Sequence, residues 1–164
     1  MKIQTKRLIL QKYEATDFEI FCDVICNDEV MLHISGKGNT LVVAREKFDS
    51  ILKTNKESDN YGLFKVILLK TNQIIGFAKI TPYKKGAFEI GYALLPEFWR
   101  KGFTIEMINK MVNHCVEKFP SKQIMAIVNE TNVASLKVLE KCNFKIYKKE
   151  DFKRAPCLFL EHLK

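Results

Sequence analysis

The sequence predicts a mixed α/β (α+β) fold: a single mixed β-sheet flanked by helices, in the order β-α-α-β-β-β-α-β-α-β-β. Three observations predict it. Three short apolar runs follow one another over 63–95, separated by turn residues, as in an antiparallel meander. The period then switches, and Ile105, Ile108, Val112, Cys115 and Phe119 recur at three- and four-residue steps, the signature of a helix over 103–119. A further strand, helix and strand pair complete the alternation.

Taken in order, 7–12 reads as a strand. Thr16-Asp17-Phe18-Glu19 has the form of a capping box, with Thr16 as cap and Glu19 reaching back. Phe18, Phe21, Val24 and Ile25 then share a helical face, and a break follows at 36–39. A second helix spans 40–55, with Ala44, Phe48, Ile51 and Leu52 on one side. The run 63–69 is an apolar strand broken only by Lys65. The strand 74–81 carries Gly76, a sign of a bulge or of close packing. After the turn at 82–86 comes the strand 87–95. Pro120 ends the helix 103–119, and 124–128 is a strand. Asn132 opens a helix over 132–142, with Val133, Leu136 and Leu139 inward. Asn143 suits the left-handed position after it. Strands at 144–148 and 157–162 close the chain.

The 164 residues suffice for one hydrophobic core, so 1–164 is expected to form a single domain. No apolar run reaches the ~18 residues of a membrane span, and 1–12 lacks a signal-peptide core. These features lead to an expected cytoplasmic location. The five cysteines include no C-x-x-C pair, which reads as free thiols rather than a metal site. The net charge of +8 suits an anionic ligand or a solvated basic surface. With no arginine-rich arm or recognised motif, a nucleic-acid partner is not expected.

The chemistry concentrates at 94–106. There a strand ends, a short basic loop follows and a helix begins. A helix start offers unpaired N–H groups and the positive end of its dipole, a phosphate site in waiting. Gly102 allows close backbone approach, and Arg100 and Lys101 add charge. Two readings stand on these residues alone: a diphosphate or nucleotide ligand at 100–105, or an ordinary strand–helix turn.

Glu89-Ile90-Gly91-Tyr92-Ala93-Leu94 and Phe98-Trp99-Arg100-Lys101-Gly102-Phe103-Thr104-Ile105-Glu106 resemble the strand and pyrophosphate loop of the GNAT superfamily. The match is nearest to the branch like the ribosomal-protein N-terminal acetyltransferases. Thr5-Lys6-Arg7-Leu8-Ile9-Leu10 resembles the opening of these proteins, and Asn132-Val133-Ala134-Ser135-Leu136-Lys137-Val138-Leu139-Glu140-Lys141-Cys142-Asn143-Phe144 their later helix. Thr104, where the family has Gly or Ala, and Asn143, where it has Gly, depart from the pattern.

The resemblance implies transfer of an acetyl group from acetyl-CoA to a primary amine, a protein N-terminus or a small amine, by direct attack and without a metal. It implies pantetheine between the strands 87–95 and 124–128, with backbone groups near Ala93 and Leu94 holding it. Arg100, Lys101, Gly102, Phe103, Thr104 and Ile105 would take the diphosphate, and Asn132 and Ser135 the pantetheine arm. Glu89 is the candidate base, or else a structural or orienting acid. The usual acidic tyrosine is replaced by Leu139, so Ser135 is the candidate donor to the departing sulfur. That loss also admits a catalytically weak acetyl-CoA-binding module. Tyr92 and Trp99 are read as core residues beside the groove, and His33 as a loop residue near the substrate. No membrane partner is expected, and the assembly is expected to be a monomer or homodimer.

Overall fold

The computed structural model describes residues 2–163. Strands β1 (Lys2–Gln4) and β2 (Leu8–Lys12) lead into helices α1 (Phe18–Ile25), α2 (Asp28–Ser35) and α3 (Leu41–Glu57). Then come β3 (Gly62–Leu68), β4 (Gln73–Tyr83), β5 (Ala87–Leu94), α4 (Phe103–Lys118), β6 (Ile124–Asn129), α5 (Val133–Lys141), β7 (Phe144–Phe152) and β8 (Ala155–His162). These strands form one sheet in the order β1-β2-β3-β4-β5-β6-β8-β7. Every neighbouring pair is antiparallel except β5–β6. The mixed α/β class expected from the pattern is therefore present.

The element order differs in two places. The leading β1 is three residues long, too short to carry a periodic signal. The expected first helix is split, because Asn27 takes an extended conformation and accepts a hydrogen bond from the Val30 N–H at 3.1 Å, starting α2 afresh. The expected Thr16–Glu19 capping box is not formed. Instead Asp17 accepts from the Glu14 N–H at 2.8 Å, inside a single tight turn that precedes α1. β7 also runs past its expected end, through Lys148-Lys149-Glu150-Asp151, because β8 supplies partners as far as Ala155. Exposed charge on an edge strand hides the alternation that would betray it.

Each face of the sheet carries its own core. α4 and α5 place Met107, Ile108, Met111 and Leu139 against Leu8, Leu10, Phe64, Val66, Ile80 and Ile90. On the other side Phe21, Val24, Ala44 and Phe48 from α1 and α3 gather with Tyr13 and Ala93. Gly76 meets both expectations for it. A register shift sits opposite it, between Val66 and Ile67. A Cβ at Gly76 would fall 2.1 Å from the Ala93 carbonyl oxygen. Among the described residues no helix is long and apolar enough to cross a membrane.

Lys65, the interruption in the apolar strand β3, is buried and donates to both carboxylate oxygens of Asp17, at 2.7 and 2.9 Å. Asp17 in turn fixes the turn before α1, so one buried ion pair ties the helical layer to the sheet. Removing one partner leaves the other as an uncompensated buried charge. Lys65→Met is therefore expected to lower the unfolding free energy by about 3 kcal/mol or more, read as a fall in the urea midpoint. Asp17→Asn with Lys65→Met should recover part of the loss.

Candidate functional site

The chain reverses sharply between β5 and α4. After a single turn at Pro96–Phe98, Arg100 (φ 59°) and Gly102 (φ 77°) both adopt the left-handed conformation. Gly102 is required by its φ rather than by crowding, since the nearest atom to an added Cβ is an Arg7 nitrogen at 3.4 Å. The first α4 amide to find an intrahelical acceptor is that of Glu106, on the Gly102 carbonyl at 3.2 Å. The amides of Phe103, Thr104 and Ile105 have no acceptor within the helix. Left-handed residues flanking a helix start make a concave set of N–H groups suited to an anion. Arg100 and Lys101 are exposed beside it. The residues present therefore fit a diphosphate.

The bend is held from behind by the opening of the chain. Glu106 Oε1 accepts from the Arg7 N–H at 2.8 Å and the Thr5 hydroxyl at 2.5 Å. Its Oε2 accepts from Arg7 Nε at 2.6 Å. Arg7 also donates to the Lys101 carbonyl at 3.0 Å and lies 4.4 Å from the Phe103 ring centre. Burial acts to raise the Glu106 pKa, but the bonds from Thr5 and Arg7 outweigh it and hold the carboxyl below its usual value. Glu106 is thus a fastening for the loop.

β5 and β6 share only the pairs Phe88↔Ile124 and Glu89↔Met125. Past that point β6 continues with β8 while β5 continues with β4, so the two strands part. The Phe88 N–H reaches the Gln123 carbonyl on the β6 side, and the Leu95 N–H reaches Ile75 on the β4 side, each at 2.8 Å. Backbone groups alternate along a strand, which turns those of Tyr92 and Leu94 toward the gap. The backbone of Ala93 faces β4 instead, correcting its expected place at the pantetheine; its side chain is buried with Tyr13 and Phe48. Trp99, expected in the core, is 42% exposed, and its indole N–H donates to the Leu94 carbonyl at 2.7 Å.

A cavity of about 630 Å³ opens along the gap, lined among others by Glu89, Gly91, Tyr92, Asn132, Ser135 and Leu139. Asn132 caps α5 through the Ser135 N–H at 3.1 Å. The Ser135 and Tyr92 hydroxyls lie 2.7 Å apart. Burial raises the Tyr92 pKa, the Ser135 bond opposes it, and the phenol settles at about 12. Glu89 pairs with Lys79 at 2.6 Å. Lys79 lies opposite Gly91 in the sheet, where a Cβ would fall 2.6 Å from its Cε; the missing side chain is the passage by which Lys79 reaches Glu89. His33 sits on α2 rather than in a loop, lines the cavity, and has Nδ1 3.2 Å from the Thr131 hydroxyl.

Two residues of this constellation escaped sequence reasoning. Tyr92 packs against the core as expected, yet its bond to Ser135 gave no local signal. Lys79 gave none, because only the strand register brings it to Glu89. Among the described residues no three His, Cys, Asp or Glu side chains converge as metal ligands.

Comparison with known proteins places the chain in a family. The uncharacterized N-acetyltransferase YoaA of Bacillus subtilis is 30% identical, over 87% of this chain and 81% of that protein. A GNAT-family acetyltransferase from Bacillus anthracis superposes with a TM-score of 0.84 at 20% identity, covering 99% and 98% of the two chains. The ribosomal-protein α-N-acetyltransferase RimL in complex with coenzyme A superposes with a TM-score of 0.82 at 12% identity, covering 99% and 98%. Residues 7–145 match the family described as the acetyltransferase (GNAT) domain, and the chain belongs to that family of N-acetyltransferases.

Proposed function

We propose that the protein transfers the acetyl group of acetyl-CoA to a primary amine by direct attack within the gap between β5 and β6. The observation that carries this reading is the bend at 100–105, with its unpaired amides beside two strands that part. Acetyl-CoA supplies the thioester. The amides of Phe103, Thr104 and Ile105, with Arg100 and Lys101, bind its diphosphate. The Thr104 hydroxyl stands where the family has Gly or Ala and adds a donor there. The gap-facing groups of Tyr92 and Leu94 align the pantetheine, and an N–H among them polarises the acetyl carbonyl as charge develops on its oxygen. Asn132 contacts the same arm while capping α5.

The attacking nitrogen must be neutral, yet a free α-amine titrates near ~8 and a lysine near ~10.4. Glu89, held in place by Lys79, accepts the amine proton through water. The N–C bond forms, the C–S bond breaks, and the sulfur needs a proton. Leu139 stands where many relatives place the acidic tyrosine. Tyr92 answers that loss, because its buried hydroxyl keeps its proton and lies on Ser135. Ser135 donates to the sulfur and takes a proton from Tyr92 in the same step, and Tyr92 regains one from water in the cavity, so no phenolate persists. That supply of a proton favours an enzyme over a cofactor-binding module without turnover.

Three outcomes test the reading. Calorimetry should show acetyl-CoA binding that weakens about tenfold in Gly102→Val, which forces a branched residue to positive φ, and also in Glu106→Gln, which releases the bend. Tyr92→Phe and Ser135→Ala should each lower kcat about 100-fold while leaving acetyl-CoA affinity within a factor of a few, as loss of a general acid does. Because the Tyr92 pKa is raised to about 12, wild-type kcat should show no descending limb up to pH ~10, where an ordinary tyrosine begins to lose its proton. Tight binding without thiol release across a broad amine panel would establish the module instead.

A further inference from the structure

The residues lining the cavity are predominantly basic. Among the described residues lining it, Lys47, Lys79, Lys153 and Arg154 carry positive charge, against a single carboxylate, Glu89. Lys79 is already paired with Glu89. Among the described residues none forms a salt bridge with Lys47, Lys153 or Arg154; the Lys47 ammonium donates to the neutral Asn39 side chain at 2.7 Å. His33 lines the same wall.

Two features argue that this cluster is more than a solvated surface. Lys47 belongs to α3 and Lys153 to the turn between β7 and β8, so the fold itself gathers like charges. Lys47 is exposed, and desolvation and then the Lys153 charge lower its pKa. The turn is also unusual. Lys153 (φ 51°) and Arg154 (φ 67°) both stand in the left-handed region, where two-residue hairpin turns call for Asn, Asp or Gly. Long cationic side chains serve that turn poorly, and an outlier of this kind points toward binding. None of the residues 100–105 lines the cavity, so the diphosphate is provided for elsewhere.

We infer that the amine acceptor carries a carboxylate, bound by Lys47, Lys153 and Arg154 across the cavity from Glu89. The inference rests on the acetyl-transfer reading and sharpens its substrate class. A polyamine would meet this wall as like charge against like, at a cost in affinity. An acidic amino acid and an acidic peptide N-terminus share the required chemistry.

Acetyl transfer to glutamate, to a glutamate-rich peptide with a free N-terminus, to the neutral amide of each, and to spermidine would test it. Each carboxylate form should exceed its amide in kcat/KM by about tenfold or more, as a charge-assisted contact does, and spermidine should be poorest. The faster of glutamate and the peptide identifies the source. In Lys47→Gln with Lys153→Gln the preference should collapse, with the KM for acetyl-CoA unchanged. Equal rates for acid and amide, faster spermidine, or a raised acetyl-CoA KM in that variant would overturn the inference while leaving acetyl transfer intact. Calorimetric binding of the same panel to the CoA-saturated protein reads the preference without turnover. A carboxylate preference there, with no transfer, would sustain the inference and sink the transfer reading; no preference there would overturn the inference.

Discussion

The sheet is interrupted at one seam, and the rest of the molecule is arranged around that interruption. A strand edge inside a fold normally pairs, because unpaired N–H and C=O groups cut off from water are costly. Here β5 and β6 stop pairing after Glu89↔Met125, and the edge beyond is left to Tyr92 and Leu94. The Leu94 carbonyl is satisfied by the Trp99 indole, which explains why a large aromatic is kept half exposed. The remaining groups face a cavity, where a ligand's amides can complete them. Among the described residues the only parallel pairing lies at this seam, as a crossover through α4 between β5 and β6 requires.

The loop that opens α4 holds the non-glycine Arg100 in the left-handed region, and such a residue keeps that form only when its surroundings dictate it. The dictation comes from the far end of the sequence. Thr5 and Arg7 converge on Glu106, and Arg7 also holds the Lys101 carbonyl and covers Phe103. β1 and β2 are therefore more than an extension of the sheet. They flank the fastening for a bend made about a hundred residues later in the chain.

The legible parts of the sequence were those governed by short-range rules. Alternation and helical period located nearly every strand and helix, and Asn143 fell at the left-handed position expected of it. Short or polar elements were not legible: β1 is too brief, Asn27 resets α2 by a local cap, and the charged β7 is a strand only because β8 lies beside it. In the site the bend was readable because one contiguous segment makes it. Tyr92 with Ser135, and Lys79 with Glu89, were not, since each pair exists only through long-range register. The backbone of Ala93 was misplaced for a related reason. The parity of a strand's hydrogen bonds is fixed by its neighbours, and Phe88 and Leu95 reveal it only in three dimensions.

The handling of charge follows the same logic of isolation and exposure. Lys65 and Asp17 are buried together and neutralise one another, so they fasten two layers without adding a field to the cavity. Lys79 and Glu89 are paired but border the cavity, where Gly91 removes the side chain that would keep them apart. Lys47, Lys153 and Arg154 have no partner of this kind. These three exposed cations, from two distant segments, border one cavity, and this is the ground for inferring a counter-charge from outside the chain. The basic excess of the composition thus has one local expression among the residues lining this cavity, and the acceptor inferred above is the one whose charge would complement it.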